Sequence, residues 1–554
     1  MSKLKCIKFY SFVLIFIYSS FAQAVPVEGK KMMIAAPSPY AIEVGKKIIA
    51  KGGNVADVAT VVGLTLAVTS PYFASFGGGG FALIKIGKKP VSVMDFREVA
   101  PEKTHPKFYL NLKEDASQNG GTAVGVPGVA AGMFELHKKY GKLPWSILVE
   151  QAYLLAKNGF HLSGEWIDRT NQSKDRFNSG GKKHFFKNSK SKYVAGDLLV
   201  QKPLAKFLKN YKEIGPKAFY AGPVAKDIVE TVNSTGGVLT YKDLASYKVR
   251  WLKPLTHNFE KFKVYLMPPP SSGGIVIKTA LSLIEHLNPE KQQNFSINEY
   301  HLIAEILNRS FRGRALLGDP DFYKNPMDQL LSKKYLKELA NSISLAKTQQ
   351  LKPLSENDIK ESNETTHYSV LDSEGNSVAI TVTLNGNYGS AVVSNQFGIA
   401  LNNEMDDFTT RPGEPNMYGL VQGSGNYVEA GKRPLSSMSP TLVEKNGKII
   451  LSLGAPGGPT IISGVLQVIY RSLVRNLNID RAIQAPRVHH QFLPNQLFID
   501  EWGFQPATLN GLRTKGHQLV EKPFIGRVNA VRLKDDGVLE AAFDTRGEGS
   551  AGGY

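Results

Sequence analysis

Small and apolar residues recur three and four apart from Ala41 to Ser70, and Val58 to Val68 is apolar on every side, which predicts a helix buried all round. Asn54 stands at its start with Asp57 three residues on, a pairing that caps a helix N-terminus. The glycines from Gly77 to Gly80 interrupt the helical period. Phe81 to Ile86 and Val91 to Phe96 then read as strands joined at Gly87-Lys-Lys-Pro90. From Val126 to Ala340 the period is mainly helical, with helices predicted over 132–140, 147–158, 275–287 and 297–317. Pro268-Pro-Pro-Ser-Ser-Gly-Gly274 is a rigid loop feeding the third of these. Residues 351–364 (LKPLSENDIKESNE) have the composition of an exposed, cleavable linker. At Thr365 the pattern changes to alternation: strands over 367–371 and 377–384 flank the turn Asp372 to Asn376. Further strands are predicted at 398–401, 441–443, 449–453, 496–499 and 528–533, with helices at 461–473 and 479–485. Helices gathered in the first part and strands in the second predict a mixed α/β (α+β) body in which helical layers enclose stacked sheets. No internal repeat is present.

The N-terminal segment is of another kind. Lys3, Lys5 and Lys8 precede an apolar run from Phe9 to Phe21, and Ala22-Gln23-Ala24 carries small residues where a signal peptidase reads them. The run is shorter than the roughly 20 residues of a spanning helix. The expectation is a cleaved export signal over residues 1–24, and an uncleaved anchor is the competing reading. Cys6 is the only cysteine and lies inside this segment, so the exported chain would have no disulfide or thiol nucleophile.

Length, 554 residues with 42% hydrophobic and 21% charged, is ample for a full core and excludes disorder as the main theme. The formal net charge of +19 could favour nucleic acid or anionic membranes, but the basic residues are dispersed. The densest run, Lys182 to Lys192, reads as a solvated loop, and no nucleic-acid motif accompanies it.

Thr365 is where chemistry enters. A threonine hydroxyl needs a base to attack an amide. An N-terminal threonine carries one, its own α-amino group, with a pKa of roughly 7.7–8.0. Cleavage between Glu364 and Thr365 would create that amine. On the residues alone the signal is weak, and an ordinary threonine at the start of a strand is the better reading.

The run Thr365-Thr-His-Tyr-Ser-Val370 resembles the processing site of the gamma-glutamyltransferases, members of the N-terminal nucleophile hydrolases. The resemblance extends from about Met33 to Tyr554. Its blocks are Asp95-Phe-Arg-Glu98 with Ala100-Pro101, Gly125-Val-Pro-Gly128, Tyr140-Gly-Lys-Leu-Pro-Trp145, Pro268 to Gly274, and Leu317-Gly-Asp-Pro-Asp-Phe322. After the cleavage site come Asn402-Asn-Glu-Met-Asp-Asp-Phe408, Pro434-Leu-Ser-Ser-Met-Ser-Pro440 and Gly454-Ala-Pro-Gly-Gly458, all in family order. The resemblance implies a four-layer αββα sandwich. It also implies a large chain, 25–364, and a small chain, 365–554, cut from one precursor and held as a heterodimer in one body.

The same resemblance implies a role for each site residue. Thr365 would be the nucleophile, first against the Glu364 carbonyl and then against the γ-glutamyl bond of glutathione or a related donor. Thr383 would orient its hydroxyl, and backbone N–H groups of Gly457 and Gly458 would stabilise the oxyanion. Arg97, Ser436 and Ser437 would bind the α-carboxylate of the γ-glutamyl group. Glu404 and Asp407 would hold its ammonium, with Asn385 assisting. Arg411 to Gly419 would form a lid with Tyr418 at its tip. The γ-glutamyl ester would pass to water, an amino acid or a dipeptide. No metal or organic cofactor is expected, and neither nucleic acid nor a membrane is an expected partner. The location implied is a bacterial periplasm or the medium. Taken singly, Arg97 could be a surface ion pair, the serines and glycines plain turns, the carboxylates a solvated loop and the lid a surface loop.

Asn308 to Arg314 departs from the family pattern and touches no expected catalytic role. Two other readings compete: a cephalosporin (glutaryl) acylase of the same fold, and a non-catalytic exported binding protein.

Overall fold

A computed structural model describes residues 25–187, 192–349, 365–414, 416–420 and 422–554. The expected export signal, the linker with Glu364, and residues 188–191 of the basic run lie outside the described residues.

Two seven-stranded sheets carry the fold. At the centre of one, the strands Thr366–Asp372 and Ser377–Thr383 form an antiparallel hairpin, with Thr366 opposite Val382 and Leu371 opposite Ser377. Met32–Ala36 pairs with the first of them and Gly79–Lys85 with the second. The C-terminal strand Ser550–Gly553 closes one edge. The second sheet runs Val27–Gly29, Leu539–Phe543, Asn529–Leu533, Lys448–Gly454, Thr441–Lys445, Phe262–Leu266 and Leu255–Phe259.

Alternation along the strands assigns the faces. Ile34, Ala82, Tyr368, Val370, Ile380 and Val382 pack with the helices Pro39–Ala50, Val55–Thr69, Val129–Tyr140 and Trp145–Asn158. Met33, Ala35, Phe81, Leu83, Leu371 and Ala379 point the other way, onto the second sheet. The helices Gly273–Leu287, Thr460–Leu473 and Ile479–Gln484 cover that sheet's far side. The four-layer αββα expectation holds. Val55–Thr69 is buried at all fifteen positions and opens on the Asn54–Asp57 capping box, as its pattern predicts.

Between the sheets sits His367. Its Nδ1 meets Thr381 Oγ1 and its Nε2 meets Ser369 Oγ, both at 2.9 Å. Burial pushes its pKa down to about 3, so the ring is neutral. Gly454 lets the second sheet close on it, because a Cβ there would stand 2.3 Å from the ring.

Several expectations need correction. The 126–340 stretch is mainly helical as expected, but it also holds strands that the period did not predict, Arg250–Leu252, Leu255–Phe259 and Phe262–Leu266, on or near the sheet edges. The helix expected over 297–317 ends at Phe311, and a 3₁₀ turn covers Arg314–Leu316. Residues 398–401 make isolated bridges and no strand, since Gly398 adopts φ +71 and turns the chain. The basic run is not wholly a loop. Ser179–Phe185 is a helix capped by Asn178, anchored by buried Phe185, with Lys182 and Lys183 on its exposed side.

Ile380 packs fully buried between the hairpin and the helical layer. Ile380→Ala is expected to lower unfolding free energy by about 2–5 kcal/mol in urea titration, the cost of lost contacts plus an unfilled cavity.

Candidate active site

The hairpin register brings the start of its first strand beside the end of its second. Thr365 and Thr383 therefore meet, with their hydroxyl oxygens 3.4 Å apart. Thr383 Oγ1 accepts from Asn385 N at 2.8 Å, which orients its own proton. Asn385 turns the chain away with φ +71, and its Nδ2 donates to Asn403 O.

One small cavity is lined by Arg97, Thr365, Thr383, Asn385, Glu404, Asp407, Tyr418, Ser436, Ser437 and Gly458, together with Arg314, Leu420, Met438 and Ile461. Ten of the expected residues thus converge on one space from strands and loops far apart in the chain. Gly457 lies one residue behind Gly458.

Arg97 is fully buried, so a surface ion pair is ruled out. Its Nη1 donates to Glu404 Oε1, its Nη2 to Asp407 Oδ2 at 2.5 Å and its Nε to Pro434 O at 3.3 Å. Glu404 and Asp407 share one 3₁₀ turn, which aims both at the same guanidinium. Burial disfavours the charge on Arg97, but these two carboxylates outweigh it and raise its pKa. Glu404 Oε2 is buried without a hydrogen-bond partner among the described residues. Burial raises the pKa of Glu404 and Asp407 in turn, with Arg97 opposing. Glu98, with both oxygens unpartnered among the described residues and 3.8 Å from Arg97, is pushed up to about 8 by burial.

The sequence blocks on either side of these residues form the frame of the cavity. Asp95 ties three segments together. Its Oδ1 accepts from Arg97 N at 2.9 Å and from Arg433 Nη1, and its Oδ2 accepts from Arg250 Nη2 at 2.8 Å. Burial alone would raise its pKa, but Arg433 and Arg250 hold the carboxyl below its usual range. Asp319 takes the other end of Arg250 at 2.8 Å and the Arg433 N–H at 2.9 Å. Asn402 accepts from Gly125 N and Glu404 N and donates to the Gly77 and Gly125 carbonyls. The Pro268 to Gly274 loop holds the serines: Ser436 N donates to Pro270 O, and Ser272 N donates to Ser436 O.

Gly457 and Gly458 have φ +128 and +53, values that other residues rarely adopt. The helix Thr460–Leu473 starts directly behind them and adds the positive end of its dipole. A Cβ on Gly458 would stand 2.7 Å from the Tyr418 ring. Tyr418 Oη donates to Asn385 O at 2.6 Å, and Met417 N donates to Asp406 Oδ2 at 2.8 Å, which ties this segment to the residues beside the cavity.

The stretch Asn308 to Arg314 touches the site after all, contrary to expectation. Arg314 lines the cavity, with Nη1 donating to Gln422 Oε1 at 3.2 Å and Nη2 reaching Ser437 Oγ at 3.5 Å. Its Nε has no partner among the described residues. Burial, aided by Arg97, pulls its pKa down to about 10. A helical period running through 297–317 hid it; only the break after Phe311 swings Arg314 inward.

The family model of gamma-glutamyltranspeptidase matches residues 41–554. The chain is 40% identical over 530 residues to the glutathione hydrolase proenzyme of Escherichia coli K12, covering 94% of this chain and 91% of that one. Among solved structures it resembles Helicobacter pylori gamma-glutamyltranspeptidase, with 36% identity, 58% of this chain and 96% of that one covered, and a TM-score of 0.56. It also shares a fold with a cephalosporin acylase from Bacillus halodurans, with a TM-score of 0.84 over 100% and 99% of the two chains at 22% identity.

Asp406, which anchors the Tyr418 segment and accepts from Ser117 Oγ, is pushed up to about 6 by burial. A raised native pKa means stability present at low pH and lost as pH rises through that value. Asp406→Asn is expected to remove a loss on the order of 2–3 kcal/mol between pH 4 and 6. Urea titrations of both proteins at pH 4, 5, 6 and 7 measure the difference.

Proposed function

We infer the mechanism from an established premise: the chain belongs to the gamma-glutamyltranspeptidase family and is a glutathione hydrolase and gamma-glutamyltransferase. Residues 1–24 are an export signal, which directs the protein to the periplasm or the medium. Among the described residues no helix is long and apolar enough to cross a membrane. Thr365 Oγ1 attacks the Glu364 carbonyl, the peptide becomes an ester, and water cleaves it. The products are a large chain, 25–364, a small chain, 365–554, and a free Thr365 amine.

That amine, near neutrality, takes the hydroxyl proton when Thr365 attacks the donor amide. Thr383 holds the hydroxyl in place. Backbone N–H groups of Gly457 and Gly458 receive the oxyanion, a contribution worth several kcal/mol. The amine half of the donor departs with the proton. The γ-glutamyl ester on Thr365 then passes to water or to the amino group of an amino acid or peptide.

The single observation that carries substrate recognition is the buried, unpartnered Glu404 Oε2 beside Asp407. A buried carboxyl oxygen is costly unless a donor meets it. The γ-glutamyl α-ammonium is that donor. Its α-carboxylate lies against Arg97, Ser436 and Ser437, with Arg314 as a second guanidinium. Tyr418 closes over the bound group.

A glutaryl acyl group has the carboxylate but no ammonium, and this separates the reading from an acylase. Release of p-nitroaniline is expected to favour the γ-glutamyl anilide over the glutaryl anilide by at least about 100-fold in kcat/KM; a glutaryl preference contradicts the assignment. Arg314→Gln is expected to raise KM for the γ-glutamyl anilide about tenfold or more, the loss of a charged hydrogen bond, with kcat changed less. An unchanged KM removes Arg314 from the carboxylate site.

A further inference from the structure

The fold gathers three further side chains that this reaction does not use. His301 and Glu305 stand one turn apart on the helix Ile297–Phe311. His517 comes from the turn between the helix Pro506–Thr514 and the strand Leu519–Lys522. All three are buried, and one ligand atom of each lies within 4.8 Å of the other two. His301 Nε2 faces Ser344 O at 2.7 Å. A carbonyl only accepts, so Nε2 carries the proton and Nδ1 of the neutral ring is a bare lone pair. That lone pair accepts the hydrogen bond that His517 Nε2–H donates at 2.8 Å. A metal bound here takes the place of that proton, which moves to His517 Nδ1. Glu305 is braced by Thr348 Oγ1 on one oxygen and Arg309 Nη1 on the other, both at 2.6 Å. Each oxygen keeps a second lone pair.

We propose that His301 Nδ1, His517 Nε2 and Glu305 form a site for one divalent transition metal, zinc by its donor set. Two imidazoles and a carboxylate suit zinc and leave a fourth position for water. Calcium and magnesium need more oxygen ligands than this cluster holds. The surroundings are those a ligand set requires. A backbone carbonyl fixes the tautomer of His301, and a hydroxyl and a guanidinium orient the carboxylate. At Zn–N distances of about 2.0–2.1 Å in a tetrahedron, the two nitrogens stand roughly 3.4 Å apart. The rings therefore part by about half an ångström from their present contact, a side-chain adjustment. Lys515 and Arg309 add positive charge nearby, which moderates affinity.

The place of the site gives it a use. His301 and Glu305 precede Thr365, and His517 follows it. The bracing groups Ser344 and Thr348 belong to the last described stretch before the linker. Thr348 N donates to Lys515 O at 2.8 Å, and Lys515 Nζ donates to Leu345 O at 2.5 Å. A metal here clips the end of the first chain to the second. This tie between two chains rests on cleavage at Thr365; the metal site itself does not.

The test uses untagged protein stripped with dipicolinate, desalted, incubated with zinc chloride and passed through gel filtration. Mass spectrometry is expected to find about one retained zinc per chain, with a raised Tm relative to the stripped protein. His517→Gln is expected to lose both effects, and His105→Gln, at an exposed position, to keep them. Should His517→Gln not fold, cobalt(II) added to stripped wild-type protein is expected to give visible absorption of a tetrahedral site. No retained zinc in wild-type protein, equal retention in His517→Gln, or no cobalt band would overturn the site. These readouts are independent of turnover, so failure of the γ-glutamyl reading leaves them unchanged.

Discussion

Everything at the active site depends on one register. Thr366 pairs with Val382 in the central hairpin, so the residue before the first strand and the residue ending the second share one edge of the sheet. Slipping the first strand by one residue would turn Tyr368 and Val370 from the helical layer toward the second sheet and send His367 into the helices. The buried alternation on both faces forbids the shift. The 3.4 Å approach of Thr365 to Thr383 is therefore a consequence of core packing and needs no separate device. The Gly454 opening around the neutral His367 locks the second sheet onto the same register.

Charge forms the second frame. Arg97 would be expensive to bury alone, and Glu404 and Asp407 make it tolerable. Asp95 does the same for Arg250 and Arg433 while holding the Arg97 backbone. The two clusters share the segment Asp95 to Arg97, so Arg97 and the Glu404–Asp407 turn are fixed relative to the rest of the cavity wall. Such networks cost desolvation and supply geometry in return. Fixed geometry is what an acyl-transfer site needs when its nucleophile is a weak one.

Much of this was legible in the chain. Alternation and period located the hairpin, the buried helix Val55–Thr69 and the later strands, because local apolar pattern determines them. The blocks around Arg97, Glu404 and Ser436 pointed to the site before any geometry was known. What escaped was non-local. Arg250–Leu252 and Leu255–Phe259 lie on sheet edges and are only partly buried, so their alternation is weak against a helical background. Arg314 faces the cavity because a helix stops three residues earlier, at a point marked only by Gly313 within a period that otherwise continues. His301 and His517 meet only through packing of the helix Pro506–Thr514 on Ile297–Phe311, which no spacing in the chain encodes.

In the proposed mechanism Thr365 becomes an N-terminus by its own action, and the chemistry of the site rests on that step. Intact-mass analysis with N-terminal sequencing of purified wild-type protein and Thr365→Ala tests it most directly. Two chains are expected for the wild type, the smaller beginning at Thr365, and one uncut chain for the variant. A wild-type chain that stays whole, or a cut that persists at the same bond in Thr365→Ala, would contradict self-cleavage by Thr365.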